Sequence, residues 1–308
     1  MKTGRARMLL AGAVATVLFG QLSAAARTDL VQHSPPPPLT GGGRGVGEAA
    51  SPEKEQSFSP PLPRKGELSE ESSYRVLKRK LVERYAGQLP TEWGESVTGV
   101  TTRLKVGSGE KVVALTFDAC GSGKGMGVDR ELLAFLEREQ VPATLFINAR
   151  WIAPNRELFD RLAANPLFEI ANHGFRHRPA SVNGRSVYGI AGTRDVGELV
   201  DEIELNARNI AELTGRRPRF YRSGTAYYDE VAVRIAGELG EQVAGFSVLG
   251  DAGATLPAEQ VKQALLGVRP GDIVILHMNH PEAGTGKGVM AAVPELKKRG
   301  FRFVRLGE

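Results

Sequence analysis

His173 and His177 stand four residues apart, directly after the run Ile170-Ala171-Asn172. Neutral imidazole nitrogens are ready zinc ligands. A helical turn after His173 would put both rings on one face, where they could grip one ion. Two such nitrogens rarely hold a catalytic metal alone, so the chain must supply a third ligand from elsewhere. Gly121-Ser122-Gly123-Lys124-Gly125 has the look of a phosphate loop. It lacks the Gly-Lys-Ser/Thr ending that opens a helix under a phosphate, and that reading is rejected.

The elements that must position these histidines alternate along the chain. Apolar or β-branched runs predict strands at 111–117, 142–148, 168–172, 219–222, 243–248, 272–277 and 301–305. Helical patterns lie between them at 128–138, 155–164, 195–214, 228–239, 258–266 and 287–299. The longest opens on Asp195 and Glu198 in capping-box positions and is followed by Gly215. About seven strand-plus-crossover units predict an α/β fold with a parallel sheet and helices outside, closed into a barrel or open and doubly wound. Asp118, His173, Arg222, Asp251 and His277 all fall at or just after the C-terminal ends of predicted strands. That rim is where sites assemble in such folds, so one shared pocket is expected.

The remaining chain bounds the setting. Lys2, Arg5 and Arg7 precede the apolar stretch Met8–Gly20 and the small residues Ser23-Ala24-Ala25-Ala26, the pattern of a secretory signal over 1–26. Residues 27–73, with Pro35–Pro38, Gly41–Gly43 and Pro60-Pro61-Leu62-Pro63, predict a disordered tether. A short amphipathic helix over 74–88 belongs to a lead-in at 74–106. The expected location is extracellular or in the cell envelope, with membrane contact only through the signal. Cys120 is the one cysteine, which excludes an intrachain disulfide. A net charge of +5, with no basic stripe interleaved with aromatics, argues against a nucleic-acid partner.

Four segments, in order, resemble the motifs of the polysaccharide deacetylase family, the NodB-homology domain of carbohydrate esterase family 4: Leu115-Thr116-Phe117-Asp118, Asn172-His173-Gly174-Phe175-Arg176-His177, Arg222-Ser223-Gly224-Thr225 and Ile275-Leu276-His277. The likeness spans 107–308. It implies a distorted (β/α) barrel holding a divalent metal, usually zinc, that removes N-acetyl groups from amino-sugar polymers. Hydrolysis of an acetamide needs an activated water, a stabilised oxyanion and a proton for the departing amine. The resemblance gives Asp118 as base, with Arg222 holding it ionised, and His277 as acid, with Asp251 fixing its tautomer. Thr225 through its backbone N–H, and Tyr227, are expected to contact substrate. Asp251, in Gly250-Asp251-Ala252-Gly253, equally suits a turn, and Arg222 a structural ion pair. His280 reads as a loop residue.

The chain departs from the pattern where it matters most. The family's second aspartate, its third metal ligand, is Ala119 here. Asp129, Cys120 and Asp118 are the available substitutes. Asp129 is preferred, because the glycines at 121, 123, 125 and 127 would let it fold back over the rim, as in a subset of the family. A helix N-cap is its alternative role. Gly174 and Gly224 also depart from the family's Ser/Thr and Pro, and Ser247 stands near an expected acid. The primary expectation is a secreted, metal-dependent N-deacetylase of peptidoglycan or another N-acetylglucosamine glycan. The absence of a carboxylate at Ala119 motivates the alternative of a non-catalytic glycan-binding protein, and a cyclic-amide hydrolase is a third reading.

Overall fold

The computed structural model describes residues 65–121 and 125–308, with side chains from residue 72 onward. The expected signal, most of the tether and Ser122–Lys124 lie outside the described residues. In chain order the elements are α1 (Lys65–Tyr85), β1 (Val112–Ala119), α2 (Arg130–Arg138), β2 (Ala143–Ile147), α3 (Ala149–Ile152), α4 (Arg156–Ala164), β3 (Phe168–Asn172), α5 (Val196–Thr214), β4 (Phe220–Tyr221), α6 (Glu230–Glu238), β5 (Gln242–Val243), β6 (Val248–Leu249), α7 (Ala258–Leu266), β7 (Ile273–His277), α8 (Thr285–Lys298) and β8 (Arg302–Phe303). Among the described residues no helix is long and apolar enough to cross a membrane.

Seven strands pair in the order β5-β4-β3-β2-β1-β7-β6, all parallel, and β8 adds to the start of β1. The sheet is a curled, incompletely closed (β/α) barrel. The sequence pattern over 243–248 reads as one strand, but the chain makes two. Val243 pairs at one edge and Val248 at the other, so four residues carry the chain across the gap where a closed barrel would pair.

All eight residues of β1 are buried, as expected of a strand covered on both faces. Strand alternation then sorts them. Val113, Leu115, Phe117 and Ala119 join the outer apolar layer with Leu132, Leu136, Leu265 and Leu296 from α2, α7 and α8. Val112 and Ala114 pack inside with Ile273 and Val304. Thr116 and Asp118 continue that inner row toward the C-terminal rim. Ala119 therefore lies in an apolar layer, fully buried.

The lead-in docks on the barrel. Tyr74, Leu81 and Tyr85 of α1 are buried against Leu199, Val200 and Ile203 of α5. Lys78 pairs with Asp201 at 2.6 Å, and the Tyr85 hydroxyl donates to Glu238 at 2.7 Å. Because α1 begins at Lys65, it occupies the last nine positions assigned to the tether from composition. Tertiary burial of one apolar stripe is enough to hold a helix that its own sequence would leave marginal.

Candidate active site

Arg222 follows β4 and fills the upper interior of the barrel, completely buried. Its Nη1 donates to Asp118 Oδ1 at 2.7 Å and to Thr116 Oγ1 at 3.0 Å. Nε and Nη2 donate to the carbonyls of Ala244 and Gly245, and the guanidinium lies 4.1 Å from the centre of the Phe146 ring. A buried guanidinium is tolerable only when its donors are taken up, and here each nitrogen has a partner. The second Asp118 oxygen, Oδ2, lies 3.7 Å from His173 Nε2.

The two histidines are not on a helix. Residues 173–179 form an irregular loop, and His177 adopts the left-handed conformation at φ 62°. The sequence-based expectation of a helical turn fails because Glu202 of α5 captures the loop's backbone. Its buried carboxylate accepts from the N–H of Arg176 and of Arg178, and its own carbonyl accepts from Phe175. Those amides are thus unavailable for helical bonds. Burial, partly offset by those N–H groups, pushes the Glu202 carboxyl up to about 7. Asn148 donates to the carbonyls of His173 and Gly174, while Asn206 donates to Asn172 Oδ1, which accepts the Gly174 N–H as well.

This framework explains two departures from the family pattern. A Cβ on Gly174, already at φ +76°, would collide with the Glu202 carboxylate. A Cβ on Gly224 would collide with the backbone carbonyl of His177. The third-motif loop and the histidine loop touch backbone to backbone there.

The loop geometry still brings the imidazoles together, with ring centres 4.8 Å apart and planes nearly perpendicular. Cys120, the first residue after β1, lies with its Sγ 3.7 Å from His173 Nε2. Ligand atoms of Cys120, His173 and His177 all fall within 4.8 Å of one another. His173 Nδ1 is engaged by the Arg222 carbonyl at 3.0 Å, which turns Nε2 toward the cluster. His177 Nε2 is buried without a hydrogen-bond partner. Burial pushes the Cys120 thiol up, but the neighbouring imidazoles of His177, His173 and His277 outweigh it and hold the thiol well below its usual range. One thiolate and two imidazoles, one of them with its orphaned nitrogen, are a donor set that fits a zinc-type ion with an open fourth position.

Asp129, the preferred third ligand from sequence, is elsewhere. Its Oδ1 accepts from the Leu132 N–H at 2.9 Å as the N-cap of α2, and its backbone N–H donates to Met278. The carboxylate also packs against the glycine surface of Gly286 in α8. An N-cap bond is available locally and holds the side chain outside the cluster, whereas Cys120 reaches it simply by following β1.

On the other wall, His277 Nδ1 lies 2.9 Å from Asp251 Oδ1, and the His277 backbone N–H donates to Oδ2 at 2.7 Å. The Thr285 hydroxyl donates to the same carboxylate at 2.8 Å. Despite burial, the Asp251 and Cys120 partners raise the His277 imidazolium well above the usual histidine range. Asp251 is correspondingly held low, burial being overcome by His277 and Thr285.

Thr225 and Tyr227 lie on the loop after Arg222, and the Thr225 hydroxyl is buried without a partner. Of the aromatic residues suited to stacking on sugars, Trp151 and Tyr228 are fully buried in the core. Tyr227 and Tyr188 instead cluster with Trp93. Sequence reasoning passed over Trp93, Glu202, Asn148 and Asn206, since isolated polar residues or a lone tryptophan carry no periodic signal. A cleft of about 760 Å³ between α1 and α5 is lined by Phe175, Arg176 and Glu202 but by none of Cys120, His173 and His177.

Residues 105–244 match the polysaccharide deacetylase family. A peptidoglycan-N-acetylglucosamine deacetylase from Bacillus cereus is 26% identical over 215 residues, covering 68% of this chain and 93% of that protein. A chitooligosaccharide deacetylase from a Bradyrhizobium species is 26% identical over 210 residues, covering 64% of this chain and 89% of that one. Among solved structures, a carbohydrate esterase family 4 pseudoenzyme from Bacillus anthracis superimposes with a TM-score of 0.54 at 21% identity, over 67% of this chain and 66% of that one. The curled parallel barrel with its rim site thus defines a NodB-like α/β domain. Over residues 105–244 the chain is similar to the polysaccharide deacetylase family.

Proposed function

We propose that this chain is a secreted, metal-dependent hydrolase that removes N-acetyl groups from an N-acetylglucosamine polymer of the cell envelope. The observation that carries the reading is the buried Cys120–His173–His177 donor set, with its orphaned His177 nitrogen, between the Asp118–Arg222 pair and the Asp251–His277 pair. The two relatives named for deacetylation of peptidoglycan and of chitooligosaccharide support the substrate class.

Cys120, His173 and His177 would hold the ion, which when bound supplies Lewis acidity for the acetamide carbonyl and lowers the pKa of water. Asp118 takes the proton from the attacking water. Arg222 pairs with Oδ1 of that carboxylate, and the Thr116 bond fixes the guanidinium so that Oδ2 faces His173. His277 gives its Nε2 proton to the departing amine. Asp251 accepts from Nδ1–H, so the proton available for transfer is the one on Nε2. The backbone N–H of Thr225 serves the developing oxyanion.

The test uses the full chain loaded with one equivalent of zinc and supplied with N-acetylchitohexaose or peptidoglycan. Acetate release that disappears in a His173→Ala, His177→Ala double variant is the expected result. A folded, zinc-loaded protein that releases no acetate from either glycan would leave the glycan-binding alternative motivated by Ala119. Cobalt substitution gives a second readout: a thiolate-to-cobalt charge-transfer band is expected for wild type and is expected to be absent for Cys120→Ser.

A further inference from the structure

Three aromatic side chains gather beside the third-motif loop from three separate segments. Trp93 comes from the lead-in, Tyr188 from the 181–194 loop and Tyr227 from the loop after β4. The Trp93 and Tyr227 rings have centres 5.8 Å apart at 53°, and Tyr188 meets Tyr227 edge-on at 5.6 Å. Tyr188 is 70% exposed, and Trp93 and Tyr227 are partly exposed. Burial has not claimed these rings, although exposing three adjacent aromatics forgoes a large hydrophobic gain.

The backbone beneath them is firmly placed. The Gly94 N–H donates to the Tyr228 carbonyl and the Tyr228 N–H returns to Gly94, which anchors Trp93 to the Tyr227 loop. The Ala180 N–H donates to the Tyr227 carbonyl, tying that loop to the segment that leaves His177. The Ser223 hydroxyl donates to the same carbonyl at 2.9 Å. The aromatic group is thus continuous with the candidate active site through two hydrogen-bonded loops. Arg185 lies 5.1 Å above the Trp93 ring, and its guanidinium has no carboxylate partner among the described residues. An exposed cation–π contact of this kind contributes about 0.5–1 kcal/mol, little enough for a ligand to displace.

We propose that Trp93, Tyr188 and Tyr227 form a stacking platform for sugar units next to the one being deacetylated, so that the chain selects an extended glycan over a single sugar. This rests on the deacetylase reading for its occupant. A β-linked N-acetylglucosamine chain offers the matching chemistry: apolar C–H ring faces for the aromatics, and rim hydroxyls and amides for Arg185. Trp93 stands before the family match begins, so the lead-in contributes to substrate recognition as well as packing.

The chain has two tryptophans, and Trp151 is fully buried, so glycan-induced change in indole fluorescence reports on Trp93. Titration of the zinc-loaded full chain with N-acetylchitohexaose is expected to shift that emission. Trp93→Ala and Tyr188→Ala should each weaken hexaose binding, measured by calorimetry, by roughly 5- to 100-fold, as loss of one stacked ring implies. Trp93→Phe should retain most of it. Tyr188→Ala removes an exposed ring and so separates recognition from folding. The ratio of kcat/KM for hexaose to that for the dimer should fall in both alanine variants. Hexaose binding that neither alanine variant weakens would overturn the platform. Platform-dependent binding without acetate release would instead count against the deacetylase reading and leave the platform standing.

Discussion

At the N-terminal end of the strands, Arg219 reaches Glu169 at 2.5 Å with its side chain 64% exposed, and Arg103 reaches Asp272 while itself half exposed. At the C-terminal end, Arg222 reaches Asp118 at 2.7 Å with neither side chain more than 3% exposed. Both ends therefore carry arginine–carboxylate pairs, and the presence of charge does not identify a site. What differs is dielectric and completeness. In the first two pairs the arginine is open to solvent, so water and salt screen it even though its carboxylate is largely buried. The buried pair sits beside further polar groups, one of which, His177 Nε2, has no partner within the protein. An arrangement that leaves a buried nitrogen unsatisfied is destabilising unless something binds there, and function is the economical account of it.

The sharpest way to break this contrast is at the donor set. Cys120→Ala should reduce zinc affinity by roughly 100-fold or more, at or beyond the upper end seen when only an outer partner of a ligand is removed. Zinc competition against a chromophoric chelator measures this, and retention of wild-type affinity would remove Cys120 from the site. Next is the buried pair. Arg222→Met strands the Asp118 carboxylate and should lower stability by about 3–5 kcal/mol in urea unfolding. The double change Asp118→Leu, Arg222→Met should recover part of that loss; equal destabilisation would mean the arginine acts through packing alone.

Asp251→Asn should cost about 2–3 kcal/mol at neutral pH, since one carboxylate serves His277 twice and Thr285 once. The sign of its pH dependence follows from the lowered carboxyl. Wild type gains stability from ionised Asp251 above the ordinary carboxylate range and loses it as pH falls through the lower folded value. The gap between wild type and variant should therefore be wide at neutral pH and narrow below about pH 4. A gap independent of pH would show that the carboxylate's charge contributes nothing.

Asp129→Ala should lower stability by about 1 kcal/mol, the worth of an N-cap, with zinc stoichiometry unchanged. Loss of zinc in that variant would restore Asp129 as the ligand. At the opposite rim, Arg219→Ala should change stability by about 0–1 kcal/mol and leave zinc binding as it was. A larger effect there would erase the distinction between the two ends.

The elements were legible because their signals are local. The Asp195 cap and the left-handed Gly215 bound α5 where the sequence places them, and the all-apolar β1 reads directly as a strand buried on both sides. The 243–248 run was misread as one strand because a short apolar segment does not reveal that its halves pair at opposite sheet edges. Asp118, Arg222, Asp251 and His277 were expected on one rim from their strand-end positions, and the fold brings them into two contacting pairs. Asp129 was misplaced because flexible glycines permit many loop paths, and only the competing N-cap bond with Leu132 selects one.

By itself, the sequence determined the alternating α/β order, the strand-end rim and the family motifs, because periodicity and residue type act over a few neighbours. Tertiary structure decided which side chains share the cluster. It alone placed Cys120 beside the histidines, let Glu202 hold their loop out of a helix, and set Trp93 against Tyr227. Each of these depends on residues far apart in the chain competing for the same buried space and the same backbone hydrogen bonds, and local pattern carries no record of that competition.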